Sequence, residues 1–247
     1  MNPTAKILRI FVLGAAVLSG APTAAAPATG QDSVSRKPAA SRPAATLPSL
    51  DVQHIAAWTV HSRDHQGLPF IIIDKRNAQA VAFDRQGKLL QATPVLLGMG
   101  IGDTMPPGVA EMNMYHTQPA QRVTPAGRYV AEEGVNLEKQ SVLWIDYDAG
   151  IALHKIPAKR TKQQRHERMG SADPAEHRIT YGCVNVWPAF YDRVVRPHFK
   201  AKGGIVYVLP DSTPLKSVFN SYDVDPRSLF SARQARAPAA PASTERF

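Results

Sequence analysis

The chain has a single cysteine, Cys183, among its 247 residues. One cysteine excludes an intramolecular disulfide framework and a cysteine-rich zinc site. Aromatic residues are also few, at 7%, but the hydrophobic share of 44% is too high for a wholly disordered chain. No apolar run of membrane-spanning length occurs, which predicts no membrane span in the mature protein. The length allows one sizeable domain with extensions or two small ones.

Acidic residues are scarce relative to basic ones, and the formal net charge is +9. This excess of positive charge predicts that the protein works in anionic surroundings. Basic and aromatic residues do not alternate around any groove-binding motif, so we expect no nucleic-acid partner.

The first 26 residues have the three parts of a secretory signal peptide. Lys6 and Arg9 supply the positive start, residues 10–18 are apolar, and residues 21–26 are mostly small. We therefore expect residues 1–26 to be removed on export to the periplasm or cell envelope. The exact cleavage bond stays open.

Composition divides the rest of the chain into three parts. Residues 27–49 are rich in Ala, Pro, Ser and Thr and are predicted to be a disordered linker. Residues 231–247 have the same character and are predicted to be a disordered tail. One domain over residues 50–230 is the simplest interpretation of what lies between.

Strand patterns dominate this predicted domain. The β-rich runs lie at residues 69–74, 80–84, 88–98, 128–132, 142–147, 151–154 and 205–209. Helical patterns are fewer and cover residues 52–63, 159–169 and 188–200. The first three strand runs are separated by turn-forming residues, which predicts an antiparallel meander. The expected fold is mainly β with helices on its flank.

The lone cysteine lies in a segment suited to nucleophilic chemistry. An exported protein usually pairs its structural cysteines, so Cys183 is a buried bystander, an intermolecular bridge or a free thiol kept for chemistry. Gly182 directly before it allows a tight turn, and the backbone N–H groups around it can face a developing oxyanion. His154, at the end of a predicted strand, is a candidate base for a thiol nucleophile.

Three motifs, in order, make the sequence resemble the L,D-transpeptidase family with a YkuD-type catalytic domain. They are a Thr-Pro-x-Gly turn at residues 124–127, the strand-borne His154, and the run Thr180-Tyr181-Gly182-Cys183-Val184-Asn185. The resemblance extends over about residues 70–209 and implies a YkuD-like β-sandwich or barrel-like catalytic domain. Two features depart from the pattern. Tyr181 stands where many members have His, and residues 155–177 form a long basic insertion.

The resemblance implies a role for each matching residue. Cys183 would be the nucleophile and His154 its base, oriented by the backbone carbonyl of Lys155. Backbone N–H groups of Gly182 and Cys183, with Tyr181 as a further donor, would form the oxyanion hole. The remaining expected residues support the site or bind substrate: Thr180, Asn185 and Arg178, the last of which would help His154 to raise the thiolate fraction.

The implied activity is peptidoglycan remodelling. Cys183 would attack a stem tetrapeptide at the bond between its third residue and D-Ala, and the resulting thioester would pass to an acceptor amine in a 3→3 cross-link. Water as acceptor would make the protein an L,D-carboxypeptidase, and a lysine of an envelope protein is a third acceptor. No cofactor is required, and a carbapenem adduct on the thiol is expected. The alternative from another class is a non-catalytic peptidoglycan-binding module that retains the fold.

Two further groups of residues have simple interpretations. The other seven histidines lack ligand spacing with carboxylates, so we predict packing or surface roles and no metal site. The basic cluster of the insertion is predicted to be a solvated helix face, or else a flap that attracts anionic polymer or substrate carboxylates: Lys159, Arg160, Lys162, Arg165 and Arg168.

Overall fold

The folded body begins just before the first helix. The computed structural model describes residues 48–110, 112, 116–157, 164–227 and 229–230. The predicted signal peptide, nearly all of the predicted linker, the predicted tail and three of the five cluster residues lie outside the described residues. Ser49, at the end of that linker, accepts a hydrogen bond from the N–H of Val52 and so caps the first helix, α1 (Leu50–Ser62). Its hydroxyl also donates to Asp74 at 2.6 Å, which fixes the start of the helix against the sheet.

An eight-stranded sheet forms the centre of the fold. The strands of the described residues are β1 Phe70–Asp74, β2 Gln79–Phe83, β3 Leu89–Pro94, β4 Leu97–Gly98, β5 Gly127–Val135, β6 Ser141–Asp146, β7 Ile151–Lys155, β8 Arg178–Thr180, β9 Val184–Val186 and β10 Gly204–Val208. The order in the large sheet is β3-β2-β1-β10-β5-β6-β7-β9. A parallel pair, β4 with β8, lies beside it. The pairs β1–β10 and β7–β9 are parallel and the other pairs in the large sheet are antiparallel, including the predicted β1-β2-β3 meander.

The two edges of the large sheet approach each other. Leu96, two residues after β3, donates its N–H to the carbonyl of Asn185 in β9 at 3.0 Å, and receives a bond of 2.9 Å in return. The sheet is therefore almost closed into a barrel. This confirms the prediction of a mainly β, barrel-like domain with flanking helices.

Side-chain alternation along the central strands builds two cores. On β1, Phe70 and Ile72 pack under α1, whereas Ile71 and Ile73 point into the barrel. Because successive residues of a strand face opposite sides, a continuous apolar run such as β1 is what a strand covered on both faces requires.

The other helices cover the ends and sides of the barrel. They are α2 Arg165–Met169, α3 Pro188–Phe190, α4 Arg196–Phe199 and α5 Leu215–Phe219. A π-helical turn, Tyr191–Val195, joins α3 to α4 in one continuous run, close to the predicted helix at residues 188–200. Pro197 accounts for the irregular turn, because it has no N–H to bond the carbonyl four residues earlier. Among the described residues, no helix is both long and apolar enough to cross a bilayer.

Candidate active site around Cys183

Strands β7 and β9 bring the predicted histidine and cysteine together. In their parallel register His154 lies opposite Asn185, and Leu153 lies opposite Val184. Cys183 is the residue just before β9, two before Asn185, so its side chain shares the face on which His154 and Asn185 lie. Two segments 29 residues apart in sequence therefore form one site.

The turn that carries Cys183 is held by its own threonine. The Thr180 hydroxyl donates to the carbonyl of Cys183 at 2.6 Å and accepts from the N–H of Gly182 at 3.2 Å. Of the three predicted oxyanion donors, the Gly182 N–H is thus already engaged in the resting turn. Thr180 is buried, so this side chain supports the loop from below rather than facing substrate.

A second threonine fixes the same turn from the neighbouring segment. Thr124, the first residue of the Thr-Pro-x-Gly motif, donates to the carbonyl of Gly182 at 2.8 Å and accepts from the N–H of Gly98 at 2.9 Å. Its side chain is fully buried. The motif matched in the sequence is therefore a structural clamp on the residue next to the cysteine.

Both ring nitrogens of His154 have polar partners, which fix the orientation of the ring. Nδ1 lies 3.1 Å from the carbonyl oxygen of Lys155, and Nε2 lies 3.0 Å from Nδ2 of Asn185. A carbonyl only accepts, so Nδ1 carries the proton and Nε2 has the lone pair. Burial lowers the pKa of His154, the Lys155 carbonyl raises it, and the charge of Arg165 lowers it again. The net direction is downward, so the imidazole is neutral and able to accept a proton at pH 7.

The Cys183 thiol is unpaired and half-buried, and it donates to the carbonyl of Gly150 at 3.5 Å. Burial raises the pKa of the thiol, and this outweighs the lowering by the N–H of Ala152 and by the charge of Arg165. The resting pair is therefore a thiol beside a neutral imidazole.

Tyr181 is packed against an arginine. The guanidinium of Arg122 lies over its ring at 4.0 Å from the centroid, and also donates to the carbonyl of Thr117 at 2.8 Å. A guanidinium over an aromatic face is a favourable arrangement that orients both groups. The residue that stands where many family members have His is thus held against Arg122.

Arg178 is directed away from the thiol. It donates to Asp211 at 2.6 Å and to the carbonyl of Gly100 at 3.2 Å, as part of a buried ion cluster with Lys75. The cation in electrostatic contact with Cys183 is instead Arg165. Arg178 is only five residues before Cys183 in sequence, but its side chain is engaged with Asp211 and Gly100 instead.

The family comparison agrees with this geometry. The sequence model of YkuD, described as the L,D-transpeptidase catalytic domain, matches residues 69–196, just over half of the 247 residues, and includes both His154 and Cys183. The chain belongs to the L,D-transpeptidase catalytic-domain family.

Solved L,D-transpeptidases are among the structures similar to this chain. The catalytic domain of an L,D-transpeptidase from E. faecium is 16% identical, with a TM-score of 0.33, and the alignment covers 57% of this chain and 95% of that one. An L,D-transpeptidase from Mycobacterium smegmatis has the same identity, TM-score and coverage of this chain, which spans 58% of its length. A search of curated protein sequences finds no match. The family assignment rests on the sequence model and not on these distant neighbours.

Beyond the motif residues of an L,D-transpeptidase, the structure adds Arg165 to the site. Its guanidinium donates to Oδ1 of Asn185, and it comes from the basic insertion. Nothing local in the sequence marks it among its basic neighbours, although the insertion itself was visible as a departure from the family pattern. Within the described ranges, no group of His, Cys, Asp or Glu converges in a way that could hold a metal ion.

Proposed function

We propose that this protein is an exported peptidoglycan L,D-transpeptidase that uses Cys183 as its nucleophile. The observation that carries the proposal is the shared face of β7 and β9, on which lie both the only cysteine of the chain and a neutral histidine with a polar partner at each ring nitrogen. Membership of the L,D-transpeptidase family supports the reaction type. A binding module would have no need for this pairing.

In the proposed acylation, Nε2 of His154 gives up its hydrogen bond from the Asn185 amide and takes the S–H proton of Cys183, as Sγ attacks the carbonyl carbon of the third stem residue. The oxyanion is met by the backbone N–H groups of Cys183 and Tyr181, while Thr180 and Thr124 keep the turn in place. The C–N bond to D-Ala then breaks, and the proton on His154 goes to the leaving amine. The enzyme is left as a thioester on Cys183.

In the proposed second half, an acceptor amine attacks the thioester and gives its proton to His154. The S–C bond breaks, and the proton returns to the Cys183 sulfur. An acceptor amine from a neighbouring stem peptide would yield a 3→3 cross-link. Water would yield a free tripeptide, which is the L,D-carboxypeptidase outcome of the same intermediate.

The proposal also includes the organisation of the chain. We propose that residues 1–26 direct export, that residues 27–49 form a linker, and that the catalytic domain spans residues 50–230. The strongly apolar run and small-residue stretch of the N-terminal segment support this assignment.

Covalent trapping tests the nucleophile. We expect purified protein to gain the mass of one carbapenem, and Cys183→Ala to gain none. His154→Gln should slow adduct formation by about 100-fold or more, since general base catalysis contributes about that much. His61→Gln is the matched control, because His61 is bonded to Tyr222 on the surface and should leave the rate unchanged.

The absence of an adduct on the wild-type chain, or an adduct that survives Cys183→Ala, would overturn the assignment. Incubation with defined tetrapeptide muropeptides then separates the acceptors by product mass, as cross-linked dimers or free tripeptides. Binding to sacculi with neither product would instead favour the non-catalytic module.

A further inference from the structure

One arginine of the basic insertion, Arg165, contacts Asn185, the residue opposite His154 in the sheet. The short helix α2 of the insertion is anchored by Met169, which is buried against Ile156 and Ile179, and by the ring of His166, which contacts that of Trp187. Arg165 lies one helical turn before Met169 and therefore on the same face. That face is turned toward β9.

From Arg165, a chain of hydrogen bonds leads to the base. The guanidinium can only donate, so the atom of Asn185 that it contacts must be the carbonyl oxygen Oδ1. This leaves Nδ2 of the same amide to face Nε2 of His154 at 3.0 Å, while Nδ1 faces the carbonyl of Lys155 at 3.1 Å. Asn185 is fully buried, so water does not compete for its amide.

We propose that Arg165 is a positioning residue for the catalytic base: it fixes the Asn185 amide so that its NH2 group faces Nε2 of His154 and keeps the imidazole neutral, with its proton on Nδ1. This inference deepens the proposed function and rests on it for its catalytic meaning. Without Arg165 the amide is free to turn and present its oxygen to Nε2, which would favour the imidazolium.

The charge of Arg165 acts on both members of the pair in the same direction. Burial has the largest influence on both groups: it raises the pKa of Cys183 and lowers that of His154. The other influences are the N–H of Ala152 on Cys183, and the Lys155 carbonyl and Glu138 on His154. A cation favours the thiolate and disfavours the imidazolium, so it lowers the pKa of each. Its removal should therefore move the titration of both groups to higher pH.

Because the chain has one cysteine, alkylation reports this site without any transpeptidase assay. We would measure the rate of iodoacetamide alkylation of the full chain between about pH 6 and pH 10. Arg165→Met should slow alkylation by about three-fold or more near neutral pH and shift the profile upward by about half a pH unit or more. Arg165→Lys keeps the charge and a donor and should stay within about two-fold of wild type.

Arg168→Met is the matched control on the same helix. Arg168 pairs with Glu176 at 2.9 Å, so its loss should perturb α2 without shifting the profile. In parallel, ¹⁵N NMR should show the Nδ1-protonated neutral tautomer of His154 in wild type and a raised His154 pKa in Arg165→Met. Arg165→Gln serves as a second neutral variant if the Met variant does not fold.

Two results would overturn the inference: a folded Arg165→Met chain with unchanged His154 tautomer and unchanged alkylation profile, or an equal shift in Arg168→Met. Failure of the proposed function has a different signature, since wild type would then form no carbapenem adduct although the alkylation and NMR signals still depended on Arg165. An adduct in wild type with no Arg165 effect would leave the function standing and reject the inference.

Discussion

At the residue scale, the atoms around Gly182 leave no room for a side chain. Its φ of +129° lies in the region that favours glycine, and an added Cβ would lie 2.9 Å from the carbonyl oxygen of Val123 and 2.7 Å from Cδ1 of Ile151. The backbone neighbour cannot move away as a flexible side chain could. The glycine before the cysteine is therefore required both by its backbone angle and by the close approach of Val123.

Gly182→Ala should consequently impair both folding and acylation. We expect the free energy of unfolding to fall by about 1–3 kcal/mol, and carbapenem acylation to slow by about 100-fold or more as the oxyanion donors shift. Urea denaturation and the rate of adduct formation measure the two effects. Gly67→Ala is the control, because Gly67 has a positive φ but nothing within 4 Å of an added Cβ. Equal effects in both variants would show that only backbone strain matters.

The residues that could be predicted from sequence are those with a local signal. Cys183, His154 and the turn glycine lie in short recognisable patterns, and the structure brings them together. Arg165 could not be predicted, because it is one of several basic residues and its contact with Asn185 depends on the docking of α2. Arg178 was predicted to act on Cys183 because it is close in sequence, but closeness in sequence does not determine where a long side chain points.

At the element scale, Thr124 joins β4 to the cysteine turn. The Thr124 hydroxyl accepts from the N–H of Gly98 and donates to the carbonyl of Gly182. It can do both because a hydroxyl is a donor and an acceptor. Removing it leaves two buried backbone groups without this partner, at a cost of about 1–3 kcal/mol.

Thr124→Val keeps the shape of the side chain and removes the bridge. We expect a loss of about 1–3 kcal/mol in unfolding free energy and slower alkylation and acylation of Cys183, because the turn is less well held. Thr93→Val is the matched control: Thr93 is also buried on a strand, but its hydroxyl bonds only the adjacent carbonyl of Pro94, at 3.3 Å, among the contacts of the described residues. A Thr124 variant as stable and reactive as the Thr93 variant would contradict the clamp.

Strands with a clear apolar pattern were predictable to within a few residues, whereas β8 and β9 were not. Each has three residues and borders the Gly-Cys turn, so neither has enough length for a period of two to be recognised. Their partners are also distant in sequence: β9 pairs in parallel with β7, and its Asn185 bonds Leu96. The decisive geometry of the site therefore depends on non-local pairing that no local pattern encodes.

At the scale of the whole molecule, a buried ion cluster ties four distant segments together. Lys75, fully buried just after β1, lies 3.1 Å from Asp103 and 3.2 Å from Asp211. Asp211 also forms an ion pair with Arg178, the first residue of β8. Arg178 leads directly into the strand before the cysteine turn. The same charged residues therefore stabilise the barrel and help to position the site.

The cluster predicts how stability depends on pH. Burial works to raise the pKa of both carboxyl groups, but hydrogen bonds and charges outweigh it. For Asp103 these are the backbone N–H groups of residues 211–213, and for Asp211 they are Arg178, the N–H of Gly102 and the charge of Lys75. Both folded-state pKa values lie below the unfolded value of about 3.9. The stabilisation is therefore fully present above about pH 4 and is lost as the pH falls through the folded-state values.

Asp211→Asn should accordingly weaken the acid dependence while lowering stability at neutral pH. Removing one partner of a buried ion pair costs about 3–5 kcal/mol, because Lys75 and Arg178 lose a counter-charge. Urea denaturation from about pH 7 to about pH 2 should show a smaller loss of unfolding free energy in acid for this variant than for wild type.

Asp225→Asn is the control, since Asp225 is exposed and its pairing with Arg227 is screened by solvent, so the wild-type slope should be kept. An Asp211 variant with the wild-type acid slope would mean that the cluster does not couple protonation to folding. Because Arg178 begins the strand that ends at the cysteine turn, a weakened slope should come with slower alkylation of Cys183 at neutral pH.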